Sequence, residues 1–193
     1  MKSDDKKFSV MDKKIRNIKE KAKGMMTDEY LEIVNDKGEI IGRELRSKVH
    51  GNPSLLHRVT HVLVFNSRGE LLLQKRSMRK DVAPGRWDTS VGGHINAGET
   101  IEEAVLREME EELGIKGIMP EFIYSYIHSN NYESELVYSH HCLYEGEIKF
   151  NTEEIDEVRY WRLSDINNPE IFSQNLLHEV SLYREFLKRM RGL

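Results

Sequence analysis

Residues 93–115 constrain the fold of this chain more strongly than any other stretch. They read GHINAGETIEEAVLREMEEELGI, a run that opens on glycine and then becomes dense in carboxylates. Apolar residues recur in it at helical spacing, which predicts a helix over residues 100–113. We expect this helix to stop at Gly114, because glycine is the usual residue just past a helix end.

Three carboxylates lie on or beside the apolar side of this predicted helix. On a helical wheel of about 100° per residue, Glu108 and Glu112 project inside the apolar arc and Glu111 lies at its edge. Burial of an unpaired charge is costly, so these side chains need a positive partner. Hard divalent cations take oxygen ligands, which predicts a Mg²⁺ or Mn²⁺ site. The alternative is a salt-bridged helix without an ion. The arc is formed by Ile101, Ala104, Val105, Leu106, Met109 and Leu113.

The spacing of the glycines and charged residues in this segment resembles the signature of the Nudix hydrolases. The resemblance implies the Nudix fold, in which a mixed β-sheet is sandwiched between helices (an α/β/α sandwich, α+β or α/β in class). It also implies that the segment is a loop–helix–loop and that the reaction is hydrolysis of a diphosphate linked to another moiety. The matching residues are Gly93, Glu99, Arg107, Glu108, Glu111, Glu112 and Gly114.

The resemblance also implies roles for individual residues. The glutamates at 108, 111 and 112 would ligate the metal, joined by the carbonyl of Gly93, while Arg107 would orient Glu99. One carboxylate of the Glu111–Glu112 pair, or a later glutamate, would activate the water. The later candidates are Glu153, Glu154 and Glu157.

A basic loop follows the predicted strand at residues 71–75. Its cations could neutralise substrate phosphates, and the alternative is a solvated basic loop. These cations are Lys75, Arg76, Arg79 and Lys80.

Residues 48–135 also resemble type I isopentenyl-diphosphate isomerase, a relative with the same fold. The similar pieces read LLHRVTHVLVFNSRGELLLQKR, PGRWDTSVGGH and ESE. Isomerases of this type hold a metal with three histidines and two glutamates, which implies a second metal site in this chain. The alternative is that these histidines are structural or lie on the surface. The matching residues are His50, His57, His94, Glu133 and Glu135.

Two departures favour hydrolysis over isomerisation. The cysteine that the isomerase needs two residues before His94 is replaced by Gly92, and Cys142 lies on a distant predicted strand. Isomerisation needs a pair of groups that donate and accept a proton, and half of that pair is missing. The helix also keeps its full acidic set, which hydrolysis requires. We therefore expect a pyrophosphohydrolase, with an isomerase and a non-catalytic ligand sensor as the alternatives.

The remaining patterns predict a sheet with a closing helix. Leu176, Val180 and Tyr183 recur at helical spacing and predict an amphipathic helix over Gln174–Met190. A loop is expected at residues 47–56. Strands are predicted at residues 30–34, 40–45, 59–65, 71–75, 87–91, 122–128, 136–150 and 158–163.

The length of 193 residues suits one domain, expected at residues 27–193, after a charged N-terminal extension or helix at residues 1–26. The net charge of −4 predicts no nucleic-acid partner, since no basic excess exists to neutralise phosphates. The sequence shows no apolar run of the ~20 residues that a membrane span needs, and no secretory signal. The single cysteine fits a reducing compartment, so we expect a cytoplasmic monomer or homodimer.

The expected substrate is a small-molecule nucleoside diphosphate or triphosphate derivative. Trp87, Tyr126 and Tyr132 are candidates to stack on a base, although core packing is the favoured interpretation for Trp87. Specificity is expected to reside in the loops at residues 47–56 and 129–134.

Overall fold

The computed structural model describes residues 29–80 and 82–192. The prediction for residues 1–26 lies outside these described residues. None of the helices within them combines the length and apolar character that a membrane span requires.

The strands are β1 (Tyr30–Val34), β2 (Ile40–Leu45), β3 (Leu56–Phe65), β4 (Leu71–Arg76), β5 (Trp87–Asp88), β6 (Val91–His94), β7 (Glu121–Ser129), β8 (Ser134–Leu143) and β9 (Ile155–Trp161). The helices are α1 (Arg46–Val49), α2 (Ile101–Leu113) and α3 (Gln174–Met190), with a 3₁₀ turn at Leu163–Asp165.

Strand β3 is the centre of a mixed sheet. It pairs antiparallel with β1, β4 and β6, and parallel with β8 along its whole length. Strand β7 continues the sheet beyond β8, while β9 and β5 pair with β4. The β3–β6 pairing places the glycine pair at 92 and 93 beside the middle of the central strand.

Helices α2 and α3 cover opposite faces of this sheet. Val62 and Val64 of β3 belong to the core cluster that contains Met109 of α2. Leu63, which lies between them in sequence, belongs to the cluster that contains Val180 of α3. Successive strand residues point to opposite faces, so one strand supplies both cores. The predicted sandwich of a mixed sheet between helices is confirmed.

Helix α2 has defined signals at both ends. The side chain of Thr100 accepts a hydrogen bond from the backbone N–H of Glu103, and the Glu103 carboxylate accepts one from the backbone N–H of Thr100. Gly114 ends the helix with φ of 69°, a left-handed conformation that favours glycine. The helix therefore has a fixed start and end, and this fixes which carboxylates face the sheet.

Local predictions differ from the structure in several places, and the strands expected at 59–65 and 158–163 each begin three residues earlier, at Leu56 and Ile155. The loop expected at 47–56 begins with the short helix α1, and the strand expected at 87–91 is split into β5 and β6. The strand expected at 136–150 ends at Leu143, because its continuation turns away to cross the end of α2, where the Lys149 N–H donates to the Leu113 carbonyl. Leu106, assigned to the apolar arc, is 39% exposed, since that arc is narrower than the wheel suggested.

Candidate active site

Two acidic side chains of α2, Glu108 and Glu112, point towards the interior of the protein. Glu112 is only 6% exposed, and its Oε2 accepts hydrogen bonds from Gln74 Nε2 at 3.0 Å and the Gly92 backbone N–H at 3.1 Å. Burial, followed by repulsion from Glu108, raises the pKa of Glu112 to about 8. Burial also raises the pKa of Glu108, while Glu111 remains exposed. This agrees with the helical wheel, which places Glu108 and Glu112 inside the apolar arc and Glu111 at its edge.

Arg107 ties the acidic helix to the loop before it. Its Nε and Nη2 donate to the two carboxylate oxygens of Glu99, at 2.8 and 2.9 Å, and Nη2 also donates to the His94 carbonyl at 2.9 Å. Nη1 contacts Glu108 at 2.6 Å and Glu111 at 3.3 Å. One guanidinium therefore positions three carboxylates and the end of β6.

Gly93 lies directly against the Glu108 carboxylate. A Cβ added at Gly93 would lie 2.0 Å from Glu108 Cδ and 2.1 Å from Oε1. No side chain larger than hydrogen fits while Glu108 keeps this position. The glycine therefore lets a buried carboxylate approach the backbone of β6.

These groups border a cavity of about 680 Å³. Its lining includes Glu108, Glu111 and Glu112 of α2, and Glu153 and Glu154 from the loop before β9. Glu157 lies outside this lining and forms an exposed ion pair with Arg159. Of the later glutamates, the structure therefore brings only the first two to the acidic helix.

Three of the four predicted basic residues reach this cavity. Arg76 pairs with Asp88 at 3.3 Å, Arg79 donates to backbone carbonyls of residues 152 and 153, and Lys80 forms an ion pair with Glu154. Lys75 is the exception, because it lies outside the cavity lining. The loop is thus a folded rim of the cavity rather than a freely solvated segment.

The histidines predicted to form a second site do converge. Ligand atoms of His50, His57 and His94 lie within 4.8 Å of one another, and so do those of His57, Glu133 and Glu135. His50 Nε2 is 3.1 Å from His94 Nε2 and 3.7 Å from a Glu133 oxygen. The Nε2 atom of His57 is buried and has no hydrogen-bond partner among the described residues. Five residues from separate strands and loops therefore form two groups, and the imidazole of His57 belongs to both.

Burial dominates the electrostatics of this cluster. Desolvation lowers the pKa of His57 to about 4 and also lowers that of His94. Burial, then repulsion from Glu133, raises the pKa of Glu135 to about 8. Neutral imidazoles are the form that coordinates cations, so the lowered pKa values keep His57 and His94 in a ligand-competent state.

The aromatic candidates for base stacking lie in different environments. Trp87 is buried in the core against Trp161, which rules out stacking on a base in this structure. Tyr126 donates its hydroxyl to Asn175 Oδ1 at 2.8 Å. Tyr132 is 38% exposed and lies beside His50, with ring centroids 5.8 Å apart. Only Tyr132 combines exposure with a place near the histidine cluster.

Sequence reasoning missed three residues of the cavity region. Gln74 of β4 positions Glu112, and His61 of β3 forms an ion pair with Glu179 of α3 at 3.0 Å. Glu179 is fully buried and lies in the apolar face of its helix. Glu112 was singled out because its carboxylate projects from the apolar side of a predicted helix. The same criterion, applied to α3, would have singled out Glu179.

Arg107→Lys should weaken both the fold and the site. Lysine has one ammonium group in place of a planar fork, so it cannot bind both oxygens of Glu99 and also reach Glu108. We expect unfolding in urea to show a loss of roughly 1 to 2 kcal/mol in the free energy of unfolding. Arg68→Lys, at an exposed pair with Glu70, is the matched control and should change this value little. Equal effects of the two substitutions would contradict the role given to Arg107.

The model of the family described as the NUDIX domain matches residues 55–180. The uncharacterized Nudix hydrolase YfcD of Escherichia coli is 37% identical over 94 residues, which cover 49% of this chain and 52% of YfcD. The chain thus spans about half the length of the curated relatives that it matches first. An isopentenyl-diphosphate Delta-isomerase of Enterobacter is 29% identical over 175 residues, covering 85% of this chain and 96% of the isomerase.

Among solved structures, DR0079 from Deinococcus radiodurans is similar with a TM-score of 0.69 and 27% identity. The match covers 79% of this chain and 98% of DR0079. The likeness therefore extends over most of both chains.

Proposed function

Since this chain belongs to the Nudix family, we propose that it is a divalent-metal-dependent pyrophosphohydrolase that cleaves a diphosphate linkage in a nucleoside diphosphate or triphosphate derivative. The observation that carries the proposal is the pair of inward-facing carboxylates, Glu108 and Glu112, on the wall of a cavity with a basic rim. Burial of a charge is costly, and Arg107 pairs with Glu108 but not with Glu112, so a cation in the cavity would stabilise the ionised form of both carboxylates.

The donor set fits Mg²⁺ or Mn²⁺, because it consists of oxygen atoms alone. Glu108, Glu111 and Glu112 would hold the ion, with the carbonyl of Gly93. The close contact between Gly93 and Glu108 supports this fit, since it brings the carboxylate to the backbone of β6. When bound, such an ion neutralises phosphate oxygens and makes water a stronger nucleophile.

We assign the remaining residues to two tasks, which are binding the substrate phosphates and accepting a proton from the attacking water. Arg76, Arg79 and Lys80 border the cavity and would bind phosphate oxygens. Arg107 holds Glu99 and thereby fixes the loop that follows β6. Glu111 is exposed to the cavity and, with Glu112, is the carboxylate pair that we assign to accept the proton of the attacking water.

The proposal is tested by incubating the protein with Mg²⁺ and a panel of phosphorylated compounds followed by ³¹P NMR. The panel contains nucleoside diphosphate derivatives, nucleoside triphosphates and isopentenyl diphosphate. We expect new phosphate resonances from a nucleotide derivative, and none when Mg²⁺ is removed with EDTA. Prenyl isomerisation without phosphate release would identify an isomerase, and binding without turnover would identify a ligand sensor.

The histidine cluster supports a second metal site at the wall of the same cavity, which is lined by His50, His94, Glu133 and Glu135 with His57 behind them. Its carrying observation is His57, whose buried Nε2 has no partner among the described residues and whose neighbours offer imidazole and carboxylate ligands. Mixed nitrogen and oxygen donors suit Mn²⁺ and other transition metals better than Mg²⁺. We assign His50, His57, His94, Glu133 and Glu135 to this site.

His57→Gln should remove one equivalent of bound metal. Elemental analysis after reconstitution with Mn²⁺ and desalting is expected to show one ion fewer per chain than in the wild type. His141→Gln is the control, because His141 lies outside the cavity lining and bonds Tyr183. Metal content that is the same in all three proteins would contradict the second site.

Isomerisation, the activity named for the Enterobacter relative, is the second candidate function. The shared cluster of three histidines and two glutamates favours it. Against it, Gly92 supplies no thiol, and Cys142 packs beside the α2 core cluster outside the cavity lining. Hydrolysis therefore accounts for more of the site.

A further inference from the structure

His61 lies at the inner wall of the cavity, beside the position that lacks a thiol. It is paired directly with Gly92 across β3 and β6, and both residues line the cavity. A Cβ added at Gly92 would lie 3.2 Å from His61 Cδ2 and 3.3 Å from Nε2. The imidazole ring therefore borders the space into which a side chain at Gly92 would project.

Glu179 fixes the orientation of this imidazole. Its Oε2 lies 3.0 Å from His61 Nδ1, and its Oε1 accepts a hydrogen bond from Ser139 Oγ at 2.6 Å. Because Nδ1 donates to the carboxylate, Nε2 is the nitrogen left for the cavity. Burial alone would lower the pKa of His61, but the attraction of Glu179 outweighs it and raises the pKa to about 9. At neutral pH the ring is therefore protonated, and Nε2 carries a hydrogen.

The Nε2–H of His61 has no acceptor within the part of the chain that the structure describes. Its side chain is only 8% exposed and lines the cavity. The hydroxyl of Thr89, which lines the same cavity, is also buried without a partner among the described residues. The Thr89 methyl carbon lies 3.2 Å from the same added Cβ at Gly92. Two polar groups without a protein partner among the described residues thus border the space beside Gly92.

The charges around this space are compensated by other protein groups. Asp88 pairs with Arg76 and accepts a hydrogen bond from Ser173 Oγ at 2.7 Å. Glu135 accepts one from Asn175 Nδ2 at 3.1 Å. These groups leave the His61 donor to a ligand. An apolar chain placed here would leave that donor and the Thr89 hydroxyl unsatisfied, and such a loss discriminates strongly between substrates.

We propose that His61, positioned by Glu179, determines specificity by donating Nε2–H to an oxygen or nitrogen acceptor on the organic moiety of the substrate. The enzyme then takes diphosphates with a polar organic moiety, the class of nucleoside and sugar derivatives, and rejects prenyl diphosphates. This inference rests on the proposed diphosphate chemistry. The Thr89 hydroxyl is the second group available to the same moiety.

Binding of non-hydrolysable probes tests the proposal without turnover. The probes are adenosine 5′-(α,β-methylene)diphosphate, isopentenyl methylenediphosphonate and plain methylenediphosphonate, titrated calorimetrically in the presence of Mg²⁺. We expect the wild type to bind the nucleoside probe at least about tenfold more tightly than the prenyl probe. The double variant His61→Leu/Glu179→Gln removes both charges together and should abolish this preference. His141→Gln, outside the cavity lining, should keep it.

An NMR measurement on the wild type avoids dependence on the folding of the variant. The ¹⁵N resonance of His61 Nε2 should shift on saturation with the nucleoside probe and stay in place with methylenediphosphonate. The inference would be overturned if the His61 resonance did not shift with the nucleoside probe, or if the double variant kept the preference for the nucleoside over the prenyl probe. Either result would leave the proposed function intact. If none of the three probes binds, the proposed function fails and the inference fails with it.

Discussion

Replacement of Glu112 by glutamine is expected to lower metal-dependent turnover by about a thousandfold, because it removes one ligand charge from the cation site. The fold should persist. A glutamine carbonyl can accept the hydrogen bonds that Gln74 Nε2 and the Gly92 N–H now give to the carboxylate. Turnover is measured with the nucleotide that gives the largest ³¹P signal. Activity near the wild-type value would contradict the role given to Glu112.

The same substitution should stabilise the metal-free protein. Burial raises the pKa of Glu112 from 4.5 to about 8, so the native state binds more protons than the unfolded state between these values. The stability of the metal-free wild type therefore falls as the pH rises from about 5 to 8. In the variant this fall should be smaller, with a gain on the order of 2 kcal/mol at pH 8. Glu110→Gln, at an exposed position on the same helix, is the control and should show neither effect.

Gly93→Ala is expected to reduce turnover by about a hundredfold and the affinity for Mn²⁺ by at least about tenfold. The new Cβ would lie 2.0 Å from Glu108 Cδ, so the carboxylate must swing away. It then loses its contact with Arg107 at 2.6 Å and its place beside the backbone of β6. Mn²⁺ affinity is measured by electron paramagnetic resonance of the free ion.

Gly42→Ala is the control for this prediction, because an added Cβ at Gly42 meets nothing within 4 Å. Circular dichroism should show that both variants fold. If Gly93→Ala kept the wild-type affinity for Mn²⁺, the close approach of Glu108 to the backbone would not be needed for metal binding.

The sequence was sufficient to predict the parts of this molecule that rest on periodicity. Helix α2 and helix α3 lie where the apolar spacing placed them, and Glu112 is buried as its position on the wheel required. The mixed sheet between helices also follows from the family resemblance and is confirmed. The two helices depend on residues that lie close together in sequence, whereas the sheet joins distant strands such as β3 and β8 and was expected from the resemblance.

Features that depend on distant residues were harder to predict. The pairing of His61 with Glu179 joins β3 to α3 across 118 positions, and no local pattern encodes that contact. The end of β8 at Leu143 likewise depends on how the following residues cross α2, where the Asn151 N–H donates to the Glu112 carbonyl. Trp87 shows a third limit, because both base stacking and core packing were open for it in the sequence, and only the structure shows that it lies in the core.

Hydrolysis in H₂¹⁸O with Mg²⁺ tests the central claim most directly. The wild-type protein is incubated with the nucleotide derivative that it turns over, and mass spectrometry follows the oxygen isotopes of the products. We predict one ¹⁸O atom in a single phosphate product for each bond cleaved, and a rate of product formation about a thousandfold lower in the Glu112→Gln variant. Conversion of isopentenyl diphosphate to its isomer, with no ¹⁸O in any phosphate product, would contradict the account.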